Sequence, residues 1–260
     1  MVLDIFYYGI GWGNDLKIPA DHILISASAC WKKYRGGYRF EVPNILSEPI
    51  TIWLDSGGYT CFTKWKDYPW TVEQYVNFVR LFCIRYPQTE YVSVLDLPCE
   101  PLVNRSESNV CRIHQTIKNT RDCLSYKIPA NWVSVIQGYS KWEYKYCANL
   151  MHHFGLFTPV TAIGSVCQRK GTKQLDEIVR FITTLADVKW HTFGLQLRAL
   201  STLKDVVHSS DSGAWKFRSK RGAWKPKTYE HKLKNYWRYR FKIETQIIGD
   251  FRYENLCAGV

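Results

Sequence analysis

Apolar residues recur along this chain in two alternating rhythms. Short β-rich runs read as strands, and longer stretches with apolar positions every three to four residues read as helices. Asp4–Ile10 and His22–Ala29 fit strands. Ile50–Leu54 fits a buried strand that ends at Asp55 and the turn Gly57-Gly58. Residues 31–44 read as a basic, glycine-containing loop, either a solvated connection or an arm that touches phosphates, and residues 61–70 as a second loop. Thr71, with Gln74 three residues on, makes a capping box. The helix it opens has Val72, Tyr75, Val76, Val79, Phe82 and Cys83 on one face and ends near Tyr86.

Strand and helix then alternate. Tyr91–Leu95 is a strand, Asn104–Tyr126 a polar helix, Trp132–Ile136 a strand and Lys141–Phe154 a helix. Val160–Ile163 is a strand, and Gln174–Ala186 a helix with Leu175, Ile178, Val179, Ile182 and Leu185 on one face. Trp190–Phe193 is a strand, and Leu203–Val207 a short element from which His208–Asp211 leads out. Such alternation predicts a parallel sheet wrapped by helices. With about eight strands it suits a TIM-type (β/α)8 barrel, an α/β fold, with a doubly wound open sheet as the alternative. Asp55, Asp96, Gln137, Gly164-Ser165, Gly194 and Asp211 all stand where predicted strands end. In a (β/α)8 barrel those ends share the face that carries active sites; strands also end in polar turn residues for purely structural reasons.

Composition narrows the class. At 260 residues, 46% hydrophobic and 15% aromatic, the chain is globular rather than disordered. No apolar run reaches the roughly 18–20 residues of a membrane span, and Met1-Val2-Leu3-Asp4 lacks the basic start of a signal peptide. Nine cysteines are scattered singly, without CxxC, as free thiols in a reducing compartment would be. A cytoplasmic location is expected, the host cytoplasm if the source is viral. The net charge of +12 is local. Lys216–Lys242 holds eleven Lys or Arg against Glu230 alone, +10, and the remaining residues carry 24 basic and 22 acidic groups, +2. A concentrated basic block points to a polyanionic partner.

The strand ends bring together three carboxylates, Asp55, Asp96 and Asp211, and the amide of Gln137, without histidine. The seven histidines show no metal or triad spacing and read as core or surface residues. Gly9-Ile10-Gly11-Trp12-Gly13 is not the dinucleotide fingerprint. No cofactor or metal is expected. Paired carboxylates suit glycosidic chemistry, in which one attacks an anomeric carbon and another moves a proton. An Asp and a Gln can read the edge of a flat heterocycle, and aromatic rings can hold its faces. Gly57-Gly58 would let the backbone approach such a ligand closely.

Asp55-Ser56-Gly57-Gly58-Tyr59 resembles the DSGG-aromatic motif of the tRNA-guanine transglycosylases. Later segments follow in that family's order: Leu95-Asp96, Val135-Ile136-Gln137-Gly138, Ala162-Ile163-Gly164-Ser165-Val166, Phe193-Gly194 and Ser210-Asp211. The resemblance runs from about Thr51 to Asp211. It implies that Asp211 attacks C1′ of a guanosine nucleotide and expels guanine, leaving a covalent glycosyl-enzyme. Asp55 then takes the proton of an incoming 7-deazaguanine. It further implies that Ser56, Asp96, Gln137 and Gly138 serve base recognition, that Gly164 and Ser165 contact the base through their backbone, and that Tyr59 and Phe193 sandwich the ring. The target base must leave the duplex or loop to reach such a pocket.

The departures have meaning. Thr60 stands where the tRNA enzymes carry Gln, and Ser212-Gly213-Ala214-Trp215 replaces their Pro-Thr-Arg, which makes Asp205 a fallback nucleophile. Only Cys257 stands where those enzymes hold zinc through CxCxxC…H, so that cluster is missing. A basic tail instead of the zinc subdomain favours the phage and bacterial 7-deazaguanine DNA transglycosylases, which use a preQ0-type base. A zinc-less tRNA enzyme and a non-catalytic nucleic-acid-binding paralogue are the alternatives. The implied partners are DNA and the free base, with a helper protein or homodimer left open and no membrane. The chain is expected to divide into a barrel, residues 1–214, and a basic segment, 215–260, packed on it. In that segment Arg218, Lys220, Arg221, Lys225, Lys232, Lys234, Arg238 and Arg240 would contact phosphates, with interleaved rings to stack on bases. Residues 237–243 alternate like a strand, while 229–244 could also form an amphipathic helix.

Overall fold

A computed structural model describes residues 3–101, 108–169, 172–216 and 228–248. Eight parallel strands close into a barrel: β1 (Ile5–Ile10), β2 (His22–Ser26), β5 (Thr51–Asp55), β6 (Thr89–Ser93), β7 (Asn131–Ile136), β8 (Val160–Ile163), β9 (Lys189–Thr192) and β10 (Ser209–Ser212). Each pairs with its neighbour in that order, and β1 closes the ring by pairing with both β2 and β10. The open-sheet alternative is excluded. Outside lie α3 (Val72–Arg85), α4 (Asn109–Leu124), α5 (Lys141–His153), α6 (Thr172–Thr183) and α7 (Leu197–Leu203), together with the single turn α1 (Ala27–Cys30), α2 (Gly58–Lys64) and α8 (Tyr229–Ile243). No described helix is long and apolar enough to cross a membrane.

Local chemistry explains most elements. The Thr71–Gln74 capping box forms in both directions, and α3 buries Tyr75, Val76, Val79, Phe82 and Cys83, with Phe78 added to the expected face. Ser140 and Glu143 make a second capping box at α5. The barrel interior is filled by rings from alternate strands. Tyr7 on β1, Trp53 on β5 and His191 on β9 are fully buried; Trp53 stacks on His191 at 4.1 Å and meets Tyr7 edge-on at 5.4 Å. This aromatic layer floors the end of the barrel where Asp55 and Asp211 emerge.

Several expected elements differ. β2 stops at Ser26 and its last residues coil into α1, where the Ser26 and Ser28 hydroxyls bond at 2.7 Å. Residues 31–44 are not all loop: β3 (Trp31–Tyr34) and β4 (Gly37–Phe40) form an antiparallel hairpin about the turn Arg35-Gly36, and only 41–44 stay irregular. Residues 58–64 form α2, entered through Gly57 at φ +82°, a conformation that costs glycine little. β6 ends two residues earlier than expected, so Val94–Asp96 continue beyond the ladder. Leu203 ends α7 rather than opening an element, and Asp211 lies inside β10. The expected start of α4 at Asn104 falls outside the described residues.

The two readings of the C-terminal segment resolve to a helix. α8 lies against β1: Tyr236 packs edge-on against Tyr8 at 4.9 Å and against Trp215, whose indole donates to the Gly9 carbonyl at 3.0 Å. Buried Asp15, in the β1–β2 connection, fastens this packing. It accepts from the Gly11 amide at 3.0 Å and pairs with Lys216 at 3.5 Å and with Lys232 of α8. Removing one partner of a buried pair leaves an uncompensated charge. Asp15→Ala is therefore expected to lower stability by about 3 kcal/mol, read from urea denaturation. An unchanged midpoint would mean that apolar packing alone holds α8.

Candidate active site

Strand ends of the barrel surround a cavity of about 210 Å³ lined by Asp55, Asp96, Glu100, Gln137, Gly164, Ser165, Phe193, Gly194, Asp211 and Tyr59, among others. It is below the roughly 300 Å³ at which small-molecule pockets usually begin, so it suits one flat ring system rather than an oligosaccharide. No Lys or Arg is among its described lining residues.

Asp96 is the centre of a hydrogen-bond chain. Ser56 donates to its Oδ1 at 2.7 Å and Gln137 Nε2 to its Oδ2 at 2.5 Å. Ser165 donates to Gln137 Oε1 at 2.6 Å, and the Cys99 amide donates to Ser165 Oγ at 2.7 Å. The Gln137 amide can therefore face only one way. Burial raises the Asp96 pKa, and the Ser56 and Gln137 donors oppose that rise.

Asp55 stands at the end of β5, half-buried, with Oδ2 accepting from the Gly57 amide at 3.0 Å. Desolvation first, then the charges of Asp96 and Asp211, push its pKa up to about 8, against the Gly57 and Ser26 donors. It keeps its proton at neutral pH. Asp211 Oδ1 accepts from the Gly194 amide at 2.9 Å. His191 Nε2 approaches the same oxygen at 3.5 Å, too long for a good hydrogen bond, and its Nδ1 meets Ser209 Oγ at 2.9 Å. Burial lowers the His191 pKa, outweighing the raising effect of Asp211, so the ring is neutral.

The sequence-selected residues are not all in one place. Asp55, Tyr59, Asp96, Gln137, Gly164, Ser165, Phe193 and Asp211 line the cavity. Ser56 lies behind Asp96, and Gly138 packs against the first turn of α5, where a Cβ would meet the Tyr144 amide at 2.7 Å. Gly57 and Gly58 serve internal approach: added Cβ atoms would meet Ser28 at 2.6 Å and the Asp96 carbonyl at 2.7 Å. Asp205 lies outside the cavity, its side chain 60% exposed and paired with Arg180 at 3.0 Å. Lys234 and Arg238 are exposed on α8, whereas Lys232 pairs with Asp15 and Arg240 pairs with Asp21 and Glu244. Arg218, Lys220, Arg221 and Lys225 fall outside the described residues.

Two residues escaped the sequence reading. Glu100 is 2% exposed, yet lines the cavity and accepts from the Cys167 thiol at 3.2 Å; burial raises its pKa. It lies four residues beyond Asp96, past the predicted strand end. His191 follows Trp190 in a short strand, and only pairing with β10 brings it to Asp211. No group of three or more His, Cys, Asp or Glu among the described residues is placed to hold a metal; Cys257 lies outside the described residues.

A Cβ on Gly164 would lie 2.2 Å from Gln137 Nε2. Gly164→Ala should therefore break the Gln137–Asp96 bond and cost about 1–3 kcal/mol in thermal denaturation. An unshifted melting temperature would mean that the amide can move away freely. Asp55 also predicts a pH effect on folding. Its folded pKa lies above its unfolded one, so its contribution is fully present below about 4 and is lost as pH rises toward about 8. Stability measured against Asp55→Asn should fall across that window; a flat difference would contradict the retained proton.

Compared with known families, residues 38–253 match the model described as DpdA, DeoxyPurine in DNA protein A. No curated protein matches the chain.

Proposed function

This chain belongs to the DpdA family of DNA 7-deazaguanine transglycosylases, relatives of the tRNA-guanine transglycosylases, and on that premise we propose that it replaces guanine in DNA with a preQ0-type 7-deazaguanine through a covalent Asp211 intermediate. The observation that carries the proposal is the meeting of Asp55 and Asp211 on one cavity that also holds the Asp96–Gln137 pair.

Target guanine leaves the stack and enters between Tyr59 and Phe193, which line the cavity. Asp96 and Gln137 read its edge with the lone pairs and hydrogens left over from their mutual bond. The Gly164-Ser165 backbone faces the base. With Oδ1 of Asp211 held by the Gly194 amide, Oδ2 attacks C1′. The C1′–N9 bond breaks, and the departing guanine takes the electron pair and the proton of Asp55. Asp55, now ionised, accepts N9–H from the incoming deazaguanine. That nitrogen attacks C1′, the C1′–O bond to Asp211 breaks, and both carboxyl groups return to their starting states. His191, neutral, lies beneath Asp211 at 3.5 Å and leaves its orientation to the Gly194 amide.

The division into a barrel, 1–214, and a basic segment, 215–260, is part of the proposal. Lys234 and Arg238 present charge to solvent from a helix packed on the barrel, while Lys232 and Arg240 join it to the barrel.

Labelled preQ0 incubated with duplex DNA, single-stranded DNA or tRNA tests the reading directly. Label is expected in DNA. Label in tRNA alone would favour a tRNA enzyme, and none in any polymer a non-catalytic paralogue. Asp211→Ala should reduce exchange by at least about 10³-fold while leaving DNA affinity within about twofold; retained exchange would remove Asp211 from the nucleophile's role. Guanine release in the first half-reaction should fall roughly tenfold per pH unit above about 8, where Asp55 loses its proton. A rate that keeps rising there would exclude Asp55 as the acid.

A further inference from the structure

The β3–β4 hairpin takes no part in the chemistry above, and its position beside the cavity calls for a role. It leaves the barrel at the end of β2, where Ser26 is the register partner of Asp55, with only α1 between. Its root is fixed. Trp31 lies opposite Phe40; both meet Trp70, and Phe40 stacks on Phe78 at 4.2 Å. Its outer part is free: Lys33, Tyr34, Arg35, Tyr38 and Arg39 are exposed.

Rings, not acids, support these cations. Lys32 Nζ sits 3.4 Å from the centre of the Trp12 ring, in the connection after β1, and the Arg39 guanidinium 3.9 Å from that of Tyr34. Glu41, the nearest acid in sequence, accepts from the Tyr34 hydroxyl. Among the described residues no carboxylate lies in ion-pair range of Lys32, Lys33, Arg35 or Arg39, whereas Lys232 and Arg240 of α8 are paired with Asp15, Asp21 and Glu244. Cations without a carboxylate partner, standing beside the cavity mouth, can replace counterions on phosphates without first breaking an ion pair.

We infer that this ribbon is a DNA contact, occupied by the phosphate backbone of the strand that carries the flipped nucleotide. The inference rests on the DNA-transglycosylase reading. Strands of four residues span about 13 Å, the rise of about four nucleotides along one strand of duplex DNA. Tyr34 and Tyr38 add exposed rings for bases unstacked beside the extruded one.

The test compares the full-length protein with the exposed triple variant Lys33→Ala, Arg35→Ala, Arg39→Ala by duplex-DNA anisotropy across a salt series, with preQ0 exchange alongside. Each lost phosphate contact removes roughly 0.9 from the slope of log affinity against log salt, so the slope should fall by about 2.7. KM for DNA should rise about tenfold or more, with kcat unchanged at saturating DNA. The charge-keeping variant Lys33→Arg, Arg35→Lys, Arg39→Lys should retain the wild-type slope. If wild type binds with a steep slope and the alanine variant matches it, the hairpin assignment fails and the DNA reading stands. Loss of slope in both variants would also overturn the phosphate contact. A wild-type protein without salt-dependent DNA affinity would overturn both.

Discussion

Four carboxyl groups share one small cavity with no Lys or Arg among its described lining residues. Like charges in a low-dielectric pocket repel strongly, and each ion also loses its water. The site reduces this cost in two ways. Donors are aimed at the oxygens: Ser56 and Gln137 at Asp96, the Gly57 amide at Asp55, the Gly194 amide at Asp211 and the Cys167 thiol at Glu100. One group, Asp55, also keeps its proton to about pH 8. The arrangement that lets the fold tolerate the cluster thus leaves a protonated Asp55 on the same cavity as Asp211, the pair that the proposed base exchange requires.

Those donors depend on close backbone approach. Gly164 has no side chain because the Gln137 amide occupies that space, and Gly58 has none because the Asp96 carbonyl does. Beneath them the Tyr7, Trp53 and His191 rings fill the barrel, so the carboxylates rest on a packed floor. Cavity geometry and core packing are coupled here: a methyl group added at either glycine would disturb both.

Basic charge on this chain serves two ends. In α8 some of it is used internally, through Asp15 and Asp21, to bind the helix to the barrel. In the β3–β4 hairpin it is supported by aromatic faces and stays available. A net charge summed along the sequence does not separate these two uses, because pairing is a property of neighbours in space.

Much was determined by sequence alone. Short apolar runs marked most of the parallel strands, which are buried on both faces, and a period of 3.6 marked the helices, which bury one face. Asp55, Asp96 and Gln137 stood out because each follows an apolar run, and Asp211 by its place in the order of the resembling motifs; parallel strands carry all such ends to one face. Tertiary structure alone decided the rest. Glu100 enters the cavity through chain that turns back after β6, and His191 reaches Asp211 across a strand pairing that leaves no local periodic trace. The hairpin at 31–40 is too short for its alternation to outweigh its two glycines, and its edge is settled by Trp31 and Phe40 packing on distant Trp70 and Phe78. The protonation of Asp55 depends on Asp96 and Asp211, tens of residues or more away, and on burial that no local window of sequence contains.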